Sequence, residues 1–278
     1  MAAVQSVIPA DETHDHGLHP DNSLNSVQKA LALLNALASV GSKAGLTDLA
    51  RRVGIPKSTA YRLLSVLTDA GIVERRGTDY LLGLRLFELG AATSRPASLN
   101  LRERALPFLE DLYEQTHQTV NLGILEGDEV LYIEKIFGHR SPPTPSHVGG
   151  RLPASCVALG RAMLAFSEPG IVRRLASKPL PAMTSRSTIQ PGLLLNELKA
   201  ARTAGVAFDR EGAGLGLTCV AAPIFDVDKH VVAAVSVSSS SFHFDEKAHA
   251  RAVARAAHLI STTVMPWLEP QRTQPDHD

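Results

Sequence analysis

Between Lys57 and Arg76 the chain carries residue types suited to reading a nucleic-acid duplex. At about 100° per residue, Lys57, Ser58, Tyr61, Arg62 and Ser65 fall in one sector of a helix spanning roughly Pro56 to Ala70, with Thr59 beside them. Ala60, Leu63, Leu64 and Leu67 fall in the opposite sector. One face therefore offers donors and small polar groups, and no acid intervenes before Asp69. A helix lying in a major groove needs that division, with donors for base edges and phosphates and no carboxylate to repel them. Arg75 and Arg76 follow in what reads as a short hairpin, where cations would meet the sugar-phosphate backbone.

Other chemistries find less support. A thiol nucleophile would require Cys156 or Cys219 with a histidine in reach and an orienting acid, and no histidine stands close to either in the sequence. Gly212, Gly214 and Gly216 lack the remaining spacing of a phosphate loop, and no Lys-Ser or Lys-Thr pair follows them. The cysteines are too far apart to suggest a zinc site. His14, His16 and His19 lie in a polar tail that buries little, so no metal or other cofactor is expected.

The elements that must position the cationic helix are legible around it. A shorter helix precedes it, with Thr47 as the expected N-cap, Asp48 at the positive end of the dipole and Gly54 just past the end. Pro56 suits a first helical position and Gly71 a left-handed stop. Ile72 to Arg75 and Tyr80 to Leu82 form the expected hairpin. Upstream, Val27, Leu31, Leu34, Leu37 and Ala38 repeat at helical spacing and give a supporting helix from Leu24 to Ser39, ended by Gly41. Together these make a winged helix-turn-helix over residues 24–83. From Leu24 to Arg95 ten lysines and arginines face five acids, whereas the whole chain balances 28 against 28. The cationic excess is thus local.

A helix over Gly83 to Ala92 is apolar around too much of its circumference for a simple surface element. Its partner is either its own domain or the same helix of a second subunit. Residues 84–98 are taken as a linker and dimerisation helix. The second domain, 99–268, opens with a helix from Leu99 to His117 whose core side is Leu101, Ala105, Phe108, Leu109 and Leu112. Strands are expected at 120–125 and 130–137, with a short extended piece at His147 and Val148. Helices follow at 155–166, 168–177 and 193–203, then strands at 206–209, 218–225 and 231–238, and a final helix from Asp245 to Val264. Strands joined by hairpins with helices grouped outside them mean an α+β fold built on an antiparallel sheet.

At 278 residues, 44% apolar and 20% charged, the chain has material for two globular cores. No apolar run is long enough to span a bilayer, and Met1 to Ala10 lacks the basic start of a signal peptide. A cytoplasmic protein with reduced thiols and no membrane partner is expected. Residues 1–23 and 269–278 read as disordered extensions.

The segments LTDLARRVGIPKSTAYRLLSVLTDAGIVER and YLLGLRLFELG, followed by GGRLPASCVALGRAMLA, GVAFDREGAGLGLTCVAAPIFD and VVAAVSVS, together resemble the IclR family of bacterial transcriptional regulators. The resemblance covers about Leu24 to Pro266 and rests on the order and spacing of the pieces. It implies a winged helix-turn-helix that binds operator DNA as a homodimer or a dimer of dimers. It also implies a C-terminal effector domain, similar to GAF and PAS sensory folds, that binds a small organic acid or aromatic metabolite. A non-enzymatic repressor is the expectation, set against a thiol-dependent enzyme and an architectural DNA-binding protein without an effector. The family's pocket segments fall on Leu152, Ala154, Ser155, Cys156, Asp209, Leu217, Cys219, Ser236 and Ser238. Many members carry a larger polar or aromatic residue where Ser155 stands, which leaves the ligand open. Small residues and hydroxyls at strand and helix ends suit a cavity with few, directional polar groups, although Cys156 and Cys219 serve equally as small buried hydrophobes and Ser236 and Ser238 as partners of nearby backbone.

Overall fold

The computed structural model describes residues 24–40, 43–92, 97–139 and 142–267. The two expected extensions, and Gly41 as a helix stop, lie outside these residues. The chain divides into two compact units, 1–94 and 95–278.

The first unit contains α1 (Ser26–Val40), β1 (Ala44–Gly45), α2 (Leu46–Val53), α3 (Lys57–Asp69), β2 (Val73–Arg76), β3 (Asp79–Leu82) and α4 (Arg85–Ala92). Its core gathers Leu33 and Leu37 of α1, Leu49 and Ala50 of α2, Ala60 and Leu64 of α3, and Val73 and Tyr80 of the hairpin. Gly54 and Gly71 both take the left-handed conformation, so α2 and α3 stop where the glycines require it. The strand β1 escapes sequence reasoning because two residues carry no period. It pairs Ala44 with Tyr80 and Gly45 with Asp79 in a sheet ordered β1-β3-β2. That pairing makes Gly45, not Thr47, the N-cap of α2, and Thr47 is an exposed residue inside the helix. Pro56 is likewise the N-cap of α3 rather than its first residue.

The apolar face of α1 also differs from the expected one. Leu33 and Leu37 are buried, whereas Val27 is 68% and Leu31 54% exposed. Leucines and alanines occur on more than one side of this helix, so periodicity alone cannot tell which side meets α2 and α3.

The second unit contains α5 (Ala97–Thr116), β4 (Thr119–Glu126), β5 (Glu129–Ile136), β6 (Arg151–Pro153), α6 (Ala158–Phe166), α7 (Pro169–Ala176), α8 (Pro191–Ala204), β7 (Ala207–Arg210), β8 (Leu217–Phe225), β9 (Val231–Ser240) and α9 (Glu246–Leu259). A single turn of π-helix, Ile260–Val264, continues α9. The helix α5 takes up two residues expected in the linker. The six strands form one antiparallel sheet ordered β6-β5-β4-β9-β8-β7. Helices α5 and α9 cover one face, where Leu101, Leu109, Leu122, Val220, Ile224, Val235 and Val253 are buried. Helices α6 and α8 cover the other, with Val130, Tyr132, Leu159, Met163, Leu194 and Ala221. The expected α+β architecture is observed.

Two local features shape the α6 face. The edge strand is Arg151–Pro153 rather than His147 and Val148, because Gly149 N–H donates to Tyr132 O and Gly150 O accepts from Tyr132 N–H before pairing begins. The helix α6 starts at Ala158, not Ser155, since residues 154–157 form a turn in which Cys156 N–H donates to Pro153 O. Gly160 packs directly on that turn, and a Cβ there would stand 2.1 Å from the Ala154 carbonyl oxygen. The contact is backbone, so it cannot move aside. Gly160→Ala is expected to destabilise the second unit by about 3 kcal/mol, the upper end of the cost of overpacking. Thermal unfolding should show a lowered transition for that unit, and an unchanged one would mean that the turn yields.

Candidate functional site

In the first unit, Lys57, Ser58, Tyr61, Arg62 and Ser65 all lie on the exposed side of α3, and Thr59 is half-buried at its margin. The opposite side is pinned to the core by Ala60 and Leu64, with Leu63 and Leu67 packed against it. The polar face is thus held in place by burial of the other. Arg75 and Arg76 are exposed in β2, but their side chains are not equivalent. Arg76 Nε donates to Glu74 Oε1 at 2.8 Å. Arg75 Nε donates to Gly77 O at 3.1 Å, and its guanidinium stands 5.8 Å from the Tyr80 ring centroid. Arg51 and Arg52 of α2 are neutralised locally by Asp48, each at 2.6 Å.

The second unit holds a small, partly open cavity between the α6 face of the sheet, the start of α6 and the loop at residues 144–146. Leu152, Asp209, Leu217, Cys219, Ser236 and Ser238 line it, as the family resemblance implies. Asn121, Tyr132, Thr144, Pro145, Ser146 and Val157 line it as well, and sequence reasoning did not reach them. Its free volume is about 20 Å³, room for roughly one water.

Strand register explains why these residues meet. Asp209, Cys219, Ser238 and Thr119 are cross-strand neighbours on β7, β8, β9 and β4. One step along, Ala221, Ser236, Asn121 and Lys135 form a second row on β8, β9, β4 and β5. Successive residues on a strand point to opposite faces, so these alternate positions share one face. Asn121 Nδ2 donates to Ser236 Oγ at 3.4 Å and to Ser238 Oγ at 3.5 Å, while its Oδ1 accepts from Ser146 Oγ at 3.1 Å.

Asp209 is fully buried. Its Oδ1 accepts from Gly212 N–H at 2.9 Å and its Oδ2 from Ala213 N–H at 3.0 Å. Burial pushes its pKa up, opposed by the nearby Arg161 and by the two amides. The carboxylate therefore folds back on the loop that carries Ala213 and Leu217 to the cavity. A Cβ on Gly212 would come within 2.4 Å of Asp209 Oδ1, so the close approach demands glycine there.

Ala154, Ser155 and Cys156 do not line the cavity. They form the buried turn ahead of α6, where Arg161 Nε donates to Ser155 O at 2.9 Å and Cys156 Sγ to Pro181 O at 3.2 Å. Arg161, also buried, reaches Phe208 O on β7 and Glu197 on α8. It ties the turn, the edge strand and α8 together. A wider cleft of about 390 Å³ lies outside this staple, but its arginines are engaged: Arg161 with Glu197, Arg186 with Glu211, and Arg210 with Glu246. Among the described residues no group of three or more His, Cys, Asp or Glu is placed to hold a metal, and no helix is long and apolar enough to cross a membrane.

Known proteins agree with both units. The family described as "IclR helix-turn-helix domain" matches residues 26–77, and "Bacterial transcriptional regulator IclR C-terminal" matches residues 94–262. The HTH-type transcriptional regulator BhcR of Paracoccus denitrificans is 32% identical over 256 residues, covering 90% of this chain and 91% of that protein. The transcriptional repressor IclR of Escherichia coli is 32% identical over 220 residues, covering 77% and 80%. An IclR homolog from Microbacterium hydrocarbonoxydans, solved in complex with 4-hydroxybenzoate, superposes with a TM-score of 0.78 at 28% identity, covering 86% of this chain and 98% of that one.

The thiols have the opposite of a nucleophile's environment. Burial raises the Cys156 pKa, and burial together with the Asp209 charge pushes that of Cys219 up to about 12. A reactive cysteine needs a depressed pKa and access to solvent. In the native protein neither thiol is expected to react with Ellman's reagent at a pH of about 8, and both should react once guanidinium unfolds it. Rapid labelling of either in the native state would return the thiol-enzyme alternative to consideration.

Proposed function

The chain belongs to the IclR family of bacterial transcriptional regulators, and on that footing we propose that it is a cytoplasmic repressor whose grip on its operator is set by a small organic acid or aromatic metabolite bound in the second unit. The observation that carries this reading is the pairing of an exposed, acid-poor cationic helix face with a small cavity of mixed polar and apolar lining elsewhere in the same chain. The first suits a duplex, and the second offers directional polar groups to a small molecule once the loop over it moves aside. The repressor assignment follows the E. coli relative, which is named as one. The effector class follows the Microbacterium homolog, which was solved with an aromatic acid.

Lys57, Ser58, Thr59, Tyr61, Arg62 and Ser65 are the residues we assign to the groove, with Arg75 on flanking phosphate. Arg76 joins them by exchanging Glu74 for phosphate. Leu152, Asp209, Leu217, Cys219, Ser236 and Ser238 form the effector pocket together with Asn121 and Tyr132, while Ala154, Ser155 and Cys156 support it from behind. Asp209 acts by fixing its loop, since both of its oxygens are taken by amides.

A homodimer is part of this reading. Leu84 and Phe87, at and within α4, are each 74% exposed, and Leu89 is 44% exposed. Val27 and Leu31 of α1 add two further large apolar side chains that the first unit presents to solvent. A second copy of the chain covers them and sets two α3 helices on one pseudo-palindromic operator.

Arg62→Ala is expected to cost about 1–3 kcal/mol of operator binding if it reads a base, measured by mobility shift on promoter fragments from the protein's own locus. Unchanged affinity would remove Arg62 from the interface. Failure of the wild-type protein to retard any such fragment at low salt, with or without cell extract, would defeat the whole reading. Phe87→Glu should shift the protein toward monomer in analytical ultracentrifugation while leaving its far-ultraviolet dichroism intact, and a persistent dimer would place the interface elsewhere.

A further inference from the structure

The pairing of β4 with β5 breaks register once. Leu122 faces Glu134 and Gly123 faces Tyr132, so Ile133 is an extra residue on β5. The consequence is an exchange of faces. Simple alternation from Tyr132, which belongs to the α6 side, would put Glu134 on the cavity face and Lys135 on the other. The bulge reverses this: Glu134 pairs with Arg102 of α5 at 2.8 Å on the far face, and Lys135 becomes the cross-strand neighbour of Asn121 in the second polar row. Bulges commonly re-aim a side chain beside a functional site.

Lys135 is buried, and among the described residues no carboxylate lies within salt-bridge distance of its Nζ. It donates instead to Thr144 Oγ1 at 2.5 Å and to Ser146 O at 2.6 Å, and stands 4.6 Å from the Phe137 ring centroid. Thr144 and Ser146 are themselves cavity-lining residues. A desolvated cation answered by neutral oxygens and an aromatic face, with no counter-charge, has a strong demand for an anion. Lys135 itself does not line the cavity under that loop, which at about 20 Å³ admits a metabolite only if the loop gives way.

We propose that Lys135 is the residue that takes the anionic group of the effector, a small monocarboxylate, and that it does so by releasing Thr144 and Ser146 in exchange for the carboxylate. This rests on the reading of the cavity as the effector site. Lys135 then discriminates acids from neutral isosteres and couples occupancy to the position of the 144–146 loop. Asn121 and the serines of the sheet are left to read the remainder of the ligand.

The test is isothermal titration of the full-length protein with monocarboxylates from acetate to 4-hydroxybenzoate, each set against its neutral amide. The wild type should bind at least one acid about tenfold or more tightly than its amide. Lys135→Met should abolish that preference, Lys135→Gln should do the same should the methionine variant not fold, and Lys135→Arg should retain it. Ser236→Leu, which fills the cavity, should remove binding of acids and amides alike. If Ser236→Leu abolishes binding while Lys135→Met keeps the acid's advantage, the cavity reading stands and the role of Lys135 falls. Binding untouched by Ser236→Leu would overturn the cavity reading itself. Wild-type protein that binds acid and amide equally, or binds none of the acids, overturns the assignment of Lys135 to a carboxylate.

Discussion

The second unit depends on how a sheet covered on both faces accommodates polar side chains. Helices α5 and α9 close one face over a largely apolar core, with Glu134 answered by Arg102 at its margin. The α6 face instead carries Thr119, Asn121, Asp209, Ser236 and Ser238, all buried. A buried polar group costs free energy unless it finds a partner, so these residues must sit where they answer one another. Antiparallel register does this by setting them side by side in two rows, and Ser146 completes the set from the loop above. The rows leave a small gap under α6, since serine, cysteine and alanine fill less volume than the leucines and valines opposite. The cavity is thus a by-product of satisfying polar groups with small side chains.

Around that gap the backbone is held with little freedom. Gly160 brings α6 onto the 154–157 turn at backbone contact, Arg161 fastens the same turn to β7 and α8, and Asp209 draws the amides of Gly212 and Ala213 inward. Each device uses polar groups or glycine in place of bulk. Ser155 and Cys156 therefore shape the cavity through the backbone they belong to and do not line it. In the first unit the division of labour is simpler. The core side of α3 is apolar, its outer side carries no acid before Asp69, and the wing begins at Val73, two residues after Gly71.

Legibility from sequence followed the strength of the local signal. Periodicity with a defined stop, as in α3 between Pro56 and Gly71, gave both the element and its buried side. In α1 the same rule chose Val27 and Leu31, because a helix apolar on several sides has no single preferred face. The fold leaves both of these exposed. Strands bounded by Gly127 or by Asp226 to Lys229 were equally clear. The two-residue β1 and the three-residue β6 were not, being defined by their hydrogen-bonded neighbours. For the cavity, family resemblance supplied Leu152, Asp209, Leu217, Cys219, Ser236 and Ser238. It also brought in Ala154, Ser155 and Cys156, whose place in the same segment does not make them lining residues.

The residues that no sequence signal reached share one cause. Asn121 sits in TVNLGILE as one polar residue among apolar ones, Thr144 and Ser146 lie in a proline-rich loop without period, and Tyr132 reads as core. Lys135 was hidden most effectively, because a two-residue period is a valid guide only while the ladder is regular. One inserted residue at Ile133 inverts the faces of everything after it on β5, and the inversion puts a carboxylate beside the arginine of α5 and an ammonium beside the polar rows. Without the bulge, Glu134 would stand next to Asn121, and the polar rows would carry a second buried carboxylate besides Asp209. The irregularity therefore sets the sign of the charge that stands beside Asn121, a property that neither composition nor periodicity expresses and that depends on a single break in pairing.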